Sequence, residues 1–205
     1  MKALFIAFAI VFVVLLIFFI LFPLIKKSVL KNRYISSYGR DIYHIANYYD
    51  YYLINRLLLK ANDDSYIDID HLLLANKYIF VIKDYYFEGS LLAKDNDNSW
   101  VYYFGNYKNP QKKLLNNLLK ENDNRLKKLS MITGLDKSML ISVVLVNNDC
   151  DLKYQKDDSG ETYLIRRNEL KKLIEQIEAR DVSPLNVEQL SYAVHDIARL
   201  NERIK

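Results

Sequence analysis

The chain has 205 residues, 51% of them hydrophobic, and a formal net charge of +4. That length holds one globular domain with extras, and so thin a positive balance excludes a strongly basic, general nucleic-acid binder. A single cysteine, Cys150, excludes an intramolecular disulfide and fits a reducing compartment.

The first 25 residues differ in kind from the rest. Ala3 to Ile25 contains no charged residue and is dense in Phe, Ile, Leu and Val. At about 1.5 Å per residue such a run spans roughly 35 Å, enough for a hydrocarbon core of ~30 Å with some tilt. A cleavable signal peptide would have a shorter apolar region and a small-residue cleavage site. The flank Phe22-Pro23-Leu24-Ile25-Lys26-Lys27 offers none, so a retained anchor is the stronger expectation. Lys26, Lys27, Lys31 and Arg33 outnumber Lys2 across the span, which places the C-terminal side in the cytoplasm. Anionic lipid headgroups account for the basic collar at 26–35.

Ser36 and Ser37 are N-cap candidates for a helix carrying Ile42, Ile45 and Ala46 on one stripe. Tyr51 to Leu59 predicts a first strand, and Ala61-Asn62-Asp63-Asp64 a turn. From Tyr66 to Gly89 two apolar runs rich in β-branched and aromatic residues meet at Asn76-Lys77, which predicts a β-hairpin. A hairpin apolar on both faces belongs inside a helix-covered sheet. The exceptions to its apolarity are Asp68, Asp70, His71, Lys83 and Asp84.

Further along, Trp100 to Phe104 predicts an aromatic strand. Asn109-Pro110 predicts the start of a long leucine-striped helix with a polar gap at Asn122, ended by Gly134. Met139 to Val146 predicts a strand buried on both faces, and Glu161 to Ile165 a further strand. Asn168 predicts the cap of one helix. Asn186, with Gln189 three residues on, predicts the cap of the last. The order predicts an α/β architecture with one mixed sheet between helices. The expected divisions are an anchor at 1–25, a basic segment at 26–35, an α/β domain at 36–180 and a C-terminal helix at 181–205 packed on it.

Ile69-Asp70-His71, Phe80-Val81-Ile82, Gly89, Trp100 and Asn109-Pro110-Gln111, in this order and spacing, resemble the nuclease-related NERD domain. That family is similar to the PD-(D/E)xK nucleases, which implies a restriction-endonuclease-like mixed-sheet domain. The resemblance covers 36–134 well and the rest more loosely. It implies an acidic residue thirteen positions after the hairpin aspartate and a lysine two beyond. Two carboxylates on adjacent strands would then hold Mg2+ or Mn2+, and the lysine would serve the attacking water.

Here Asp70 matches, but the two later positions are Lys83 and Tyr85. An ammonium in place of a carboxylate repels the metal. Each unit-charge pair at 4 Å carries about 4 kcal/mol at an effective dielectric near 20. A one-residue slip would put Asp84 in the acidic slot but turns it to the other face unless a bulge absorbs the shift. Asp70 and Asp84 are thus the metal-ligand candidates of an active site, with Lys83 as a migrated cation. The alternative is a vestige in which Asp70 and Lys83 neutralise one another across the strands.

Other groups are weaker. His44, His71 and His195 have no metal spacing, and Asp63, Asp64 and Asp68 suit a solvated acidic turn. Cys150 has no evident activating histidine, and Arg166-Arg167 suits ordinary surface. The sequence therefore predicts a single-pass membrane protein with a catalytically inactive NERD-like module that binds or scaffolds and needs no cofactor. Its expected partners are the bilayer, nucleic acid recognised by shape, or a membrane-protein partner. An active Mg2+- or Mn2+-dependent nuclease is the main rival, and a purely structural partner of another membrane protein the third reading.

Overall fold

The computed structural model describes residues 12, 13, 15–22, 38–61, 65–106, 109–157 and 161–203. The chain divides into two compact units, Met1–Ser37 and Tyr38–Lys205. In the first, residues 12, 13 and 15–22 are helical with exposed apolar side chains. No helix among the described residues is long and apolar enough to cross a membrane. The rest of the expected span at 3–25, the basic collar and the proposed caps Ser36 and Ser37 lie outside the described residues.

The second unit begins with a helix, α1 (residues 38–49), which buries Ile42, Ile45 and Ala46 as the stripe predicts. It ends where Asp50 turns left-handed at φ 57 and Tyr51 N–H donates to Ala46 O, a chain reversal that Asp tolerates better than most side chains. β1 (Tyr52–Lys60), β2 (Tyr66–Leu74) and β3 (Ile79–Tyr85) follow. β2 and β3 form the predicted antiparallel hairpin, its turn tied by Ala75 N–H to Tyr78 O.

β4 (Ser90–Lys94), β5 (Ser99–Asn106) and β6 (Asn109–Asn116) come next, then α2 (Leu118–Thr133), β7 (Leu140–Val146), β8 (Asp151–Gln155), β9 (Thr162–Arg166), α3 (Leu170–Glu178) and α4 (Val187–Arg199). The strands form two mixed sheets, not the one expected: β1-β2-β3-β7-β9 and β6-β5-β4-β8. β7 is buried along its whole length and runs parallel to β3 and β9. That is the setting its nearly continuous apolar sequence, interrupted by Ser142, requires.

The expected helix start at Asn109-Pro110 is corrected. These residues open β6, which pairs with β5 in unbroken register from Asn106↔Asn109 to Ser99↔Asn116. β6 is an edge strand, where the missing N–H of Pro110 costs no ladder bond. Leu114 is exposed and Leu115 packs inward, the alternation of a strand. α2 starts only at Asn117, whose carboxamide oxygen accepts from Leu119 and Lys120 N–H. Gly134, at φ 71, ends it as predicted.

Two further departures concern short elements. β4 and β8, five residues each, escape the sequence pattern and pair in parallel to complete the second sheet. Asn168 does not cap α3: its N–H donates to Asn148 Oδ1, and a 3-10 turn over Arg167–Glu169 leads into the helix. Asn186 does cap α4, accepting from Glu188 and Gln189 N–H.

Three buried clusters hold the unit together. On one face of the five-stranded sheet, α1 and α3 cover Leu73, Phe80, Ile82 and the odd-numbered residues of β7. On the other, Leu126 and Leu129 of α2 and Ile197 of α4 cover Leu57, Leu59, Ile67, Ile69, Leu72 and Val81. The third lies between the inner face of the second sheet and Val144, Val146 and Leu164, with Trp100 at 1% exposure.

One irregularity matters for the site. Ile67 and Ile69 share a cluster with Leu72 and Leu74, although odd and even residues of a regular strand face opposite ways. β2 therefore changes face at Asp70. β1 does the same opposite it: Arg56 has φ 55, and the register runs Asn55↔His71 and Leu57↔Ile69 around that pair. On β1 the left-handed Arg56 absorbs the slip, as a bulge residue does.

Candidate functional site

The polar residues of the central hairpin sort onto two faces. Along β3, Ile79 and Val81 point toward α2 and α4, while Phe80 and Ile82 point toward α1 and α3. Lys83 continues the first set and Asp84 the second.

On the α4 side, Lys83 Nζ donates to Asp68 Oδ2 and to Asp70 Oδ1, each at 2.9 Å. Asp70 Oδ2 accepts the backbone N–H of Asp84 at 2.9 Å, and Asp68 Oδ1 accepts from Arg203 Nη2 at 2.8 Å. Burial works against the charge on Lys83, but its hydrogen bonds to Asp70 and Asp68 and their negative charge outweigh it and hold the ammonium's pKa above the ordinary lysine value. Arg203 reaches Asp68 because the tail after α4 is tied to the kink in β1. Asn201 Oδ1 accepts from Leu58 N–H at 3.1 Å, and Glu202 N–H donates to Leu58 O at 2.9 Å.

On the α1 side, Asp84 is 5% exposed and its Oδ2 lies 2.8 Å from His71 Nε2. When Asp84 is ionised its carboxylate only accepts, and the pair then needs the proton on Nε2. His71 Nδ1 faces the Asn55 carboxamide at 2.6 Å. Burial lifts the Asp84 carboxyl above the usual carboxylate range against the opposing pull of His71. Asp84 Oδ1 is buried with no hydrogen-bond partner among the described residues. Gly39 of α1 lies over this pair, close enough that a Cβ there would meet His71 Cε1 at 3.5 Å.

The structure thus brings Asp70 and Lys83 together and sends Asp84's carboxylate to the far face. The slip that could have rescued an acidic pair occurs in β1 and β2, at Arg56 and Asp70, and β3 keeps its alternation. A hard divalent cation needs several oxygens converging on one point. Asp70 is occupied by an ammonium and a backbone N–H, and Asp84 faces an imidazole. Among the described residues no group of three or more His, Cys, Asp or Glu is arranged to hold a metal ion. The donor set does not fit Mg2+ or Mn2+.

Asp68 is solvent-accessible, as expected, but it is a strand residue and not a turn residue. It sits in β2 and shares Lys83 with Asp70, a partnership visible in the sequence only as i, i+2 spacing. Arg203 and Asn55 carried no signal at all, since their positions follow from the tail and from the register of β1. Cys150 is buried, and burial pushes its thiol up to about 11, so it is a poor nucleophile at neutral pH. Arg166 Nε donates to Cys150 O, and Arg167 pairs with Asp41 and lies over the Tyr38 ring. His44 and His195 are exposed.

The mixed α/β fold, with two mixed sheets and helix cover, is consistent with a nuclease-like domain. The model of the nuclease-related domain, NERD, matches residues 31–147, more than half of the chain. The chain belongs to the NERD family. A crystal structure of a protein of unknown function, AF1548, aligns with 82% of this chain and 97% of its own at 7% identity and a TM-score of 0.36. A comparison with curated proteins found no match.

Proposed function

We propose that this NERD-family chain is a membrane-anchored, non-cleaving module that binds or scaffolds at the cytoplasmic face of the membrane. The observation that carries it is the ammonium of Lys83 lying between Asp68 and Asp70, 2.9 Å from each. A nuclease of this type needs a metal there to polarise the phosphate and generate the attacking hydroxide. A fixed cation of this chain can neutralise the carboxylates but cannot bind water as a ligand. The partner of Asp84 across the sheet, His71, lies on the other face and lends nothing to that point.

Anchoring rests on the uncharged run from Ala3 to Ile25 and the basic residues that follow it. The module's partner is another membrane-associated protein or a nucleic acid recognised by its backbone.

The test uses the full chain in lipid vesicles. With Mg2+ or Mn2+ and linear double- or single-stranded DNA or RNA, no cleavage above background is expected. Metal-dependent cutting that disappears in Asp70→Ala overturns the reading in favour of an active nuclease. In cells, protease added from the outside is expected to leave residues 38–205 intact, and digestion there overturns the cytoplasmic placement.

A further inference from the structure

Asp68 and Asp70 stand two residues apart on β2, yet each aims one oxygen at a single point. The atom at that point is Lys83 Nζ. The other oxygens go elsewhere, Asp68 Oδ1 to Arg203 and Asp70 Oδ2 to the backbone of Asp84. Two negative charges therefore meet two positive ones, and both cations belong to this chain. The Lys83 side chain is 13% exposed, against 42% for Asp68 and 20% for Asp70. The point is thus reached from solvent past the carboxylates, while the ammonium enters from the sheet.

An ordinary cross-strand pair matches one acid with one base. Here the geometry is different: Asp68 and Asp70, i and i+2 on β2, project to the same side of the strand and both reach the one ammonium. Opposite charge on a flexible four-carbon stem suits a tethered occupant, since an ammonium is a compact charge with three donors.

We propose that Lys83 is the built-in occupant of a cation position formed by Asp68 and Asp70, so that the chain excludes soluble divalent ions by filling the position itself. One side chain fills the position, while Asp68 Oδ1 and Asp70 Oδ2 are held by Arg203 and the Asp84 backbone N–H. Removing that charge while keeping the side chain's length opens it to a divalent cation, with water completing the coordination. The inference deepens the reading of this cluster as closed to metal.

The experiment measures Mn2+ binding to the full chain in detergent micelles, by isothermal titration and by the loss of the free-ion electron paramagnetic resonance signal. Wild type is expected to bind Mn2+ only weakly and without saturation. Lys83→Met is expected to bind one Mn2+ at least tenfold more tightly, and Lys83→Met with Asp68→Asn to fall back to the wild-type level. A folded Lys83→Met chain that binds no better than wild type overturns the proposal, as does a tight single Mn2+ site in wild type.

Should Lys83→Met fail to fold, acylation of the native chain decides instead. Lys83 is expected to react at least tenfold more slowly than exposed lysines such as Lys153, and to approach their rate in Asp68→Asn. Equal rates in wild type overturn it. A wild type that neither binds Mn2+ nor cuts, beside a Lys83→Met chain that stays metal-free, removes only the tethered-occupant idea. A wild type that binds Mn2+ and cuts removes both it and the non-cleaving function.

Discussion

At the scale of single residues, two adjacent positions on β3 have opposite electrostatic fates. Lys83 is partly desolvated but gains two carboxylates, whereas Asp84 is almost wholly buried and pairs with His71. The consequence for Asp84 has a definite sign. An acid whose pKa is higher in the folded than in the unfolded chain favours folding when protonated. Its contribution is complete below the usual carboxylate range and is lost as pH rises through the raised folded value. Asp84→Asn keeps the shape without the charge. Urea midpoints taken between about pH 4 and pH 7 are therefore expected to fall with rising pH in wild type and to vary less in the variant. Equal slopes in the two chains would remove Asp84 as the source.

At the scale of elements, Asn117 shows how one side chain joins two of them. Its oxygen caps α2, while its nitrogen donates to the carbonyls of Asp95 and Asp97 in the β4–β5 loop at 2.8 and 2.7 Å. It is 2% exposed, so water cannot replace those bonds when the side chain is lost. Asn117→Ala is expected to cost about 2–3 kcal/mol, a cap and buried hydrogen bonds together. Asn117→Ser, which keeps a capping oxygen, is expected to cost roughly half as much, and denaturant unfolding measures both. Asn122, the polar gap in the leucine stripe, has a similar linking role: it is fully buried and donates to Val81 O and Ser142 Oγ of β3 and β7. Gly89 is glycine because a Cβ there would lie 2.1 Å from Tyr103 O, where the strand entering β4 meets β5.

At the scale of the whole molecule, the unit from Tyr38 to Lys205 carries its own three buried clusters and both sheets. Expressed without residues 1–37, it is expected to melt in a single cooperative transition by both near- and far-ultraviolet circular dichroism. Two separated transitions would contradict a shared core. Much of this unit was legible in the sequence. The β2–β3 hairpin, the buried β7, the left-handed stop at Gly134 and the cap at Asn186 each follow from local chemistry, namely periodicity, β-branching and capping oxygens. The family resemblance also lay in the order of short motifs along the chain. The sequence alone further determined that an ammonium and a phenol stand where a carboxylate and a lysine were expected. Tertiary structure decided what local pattern cannot encode. Asn109-Pro110 looks like a helix start, but eight cross-strand pairings to β5 outweigh that preference. β4 and β8 are too short to declare themselves until each has a neighbour. Above all, the kink shared by Arg56 and Asp70 and the tail that delivers Arg203 set which charges meet. Such meetings depend on register and on contacts between residues more than a hundred positions apart, because charge pairing is fixed by distance in space and not by spacing along the chain.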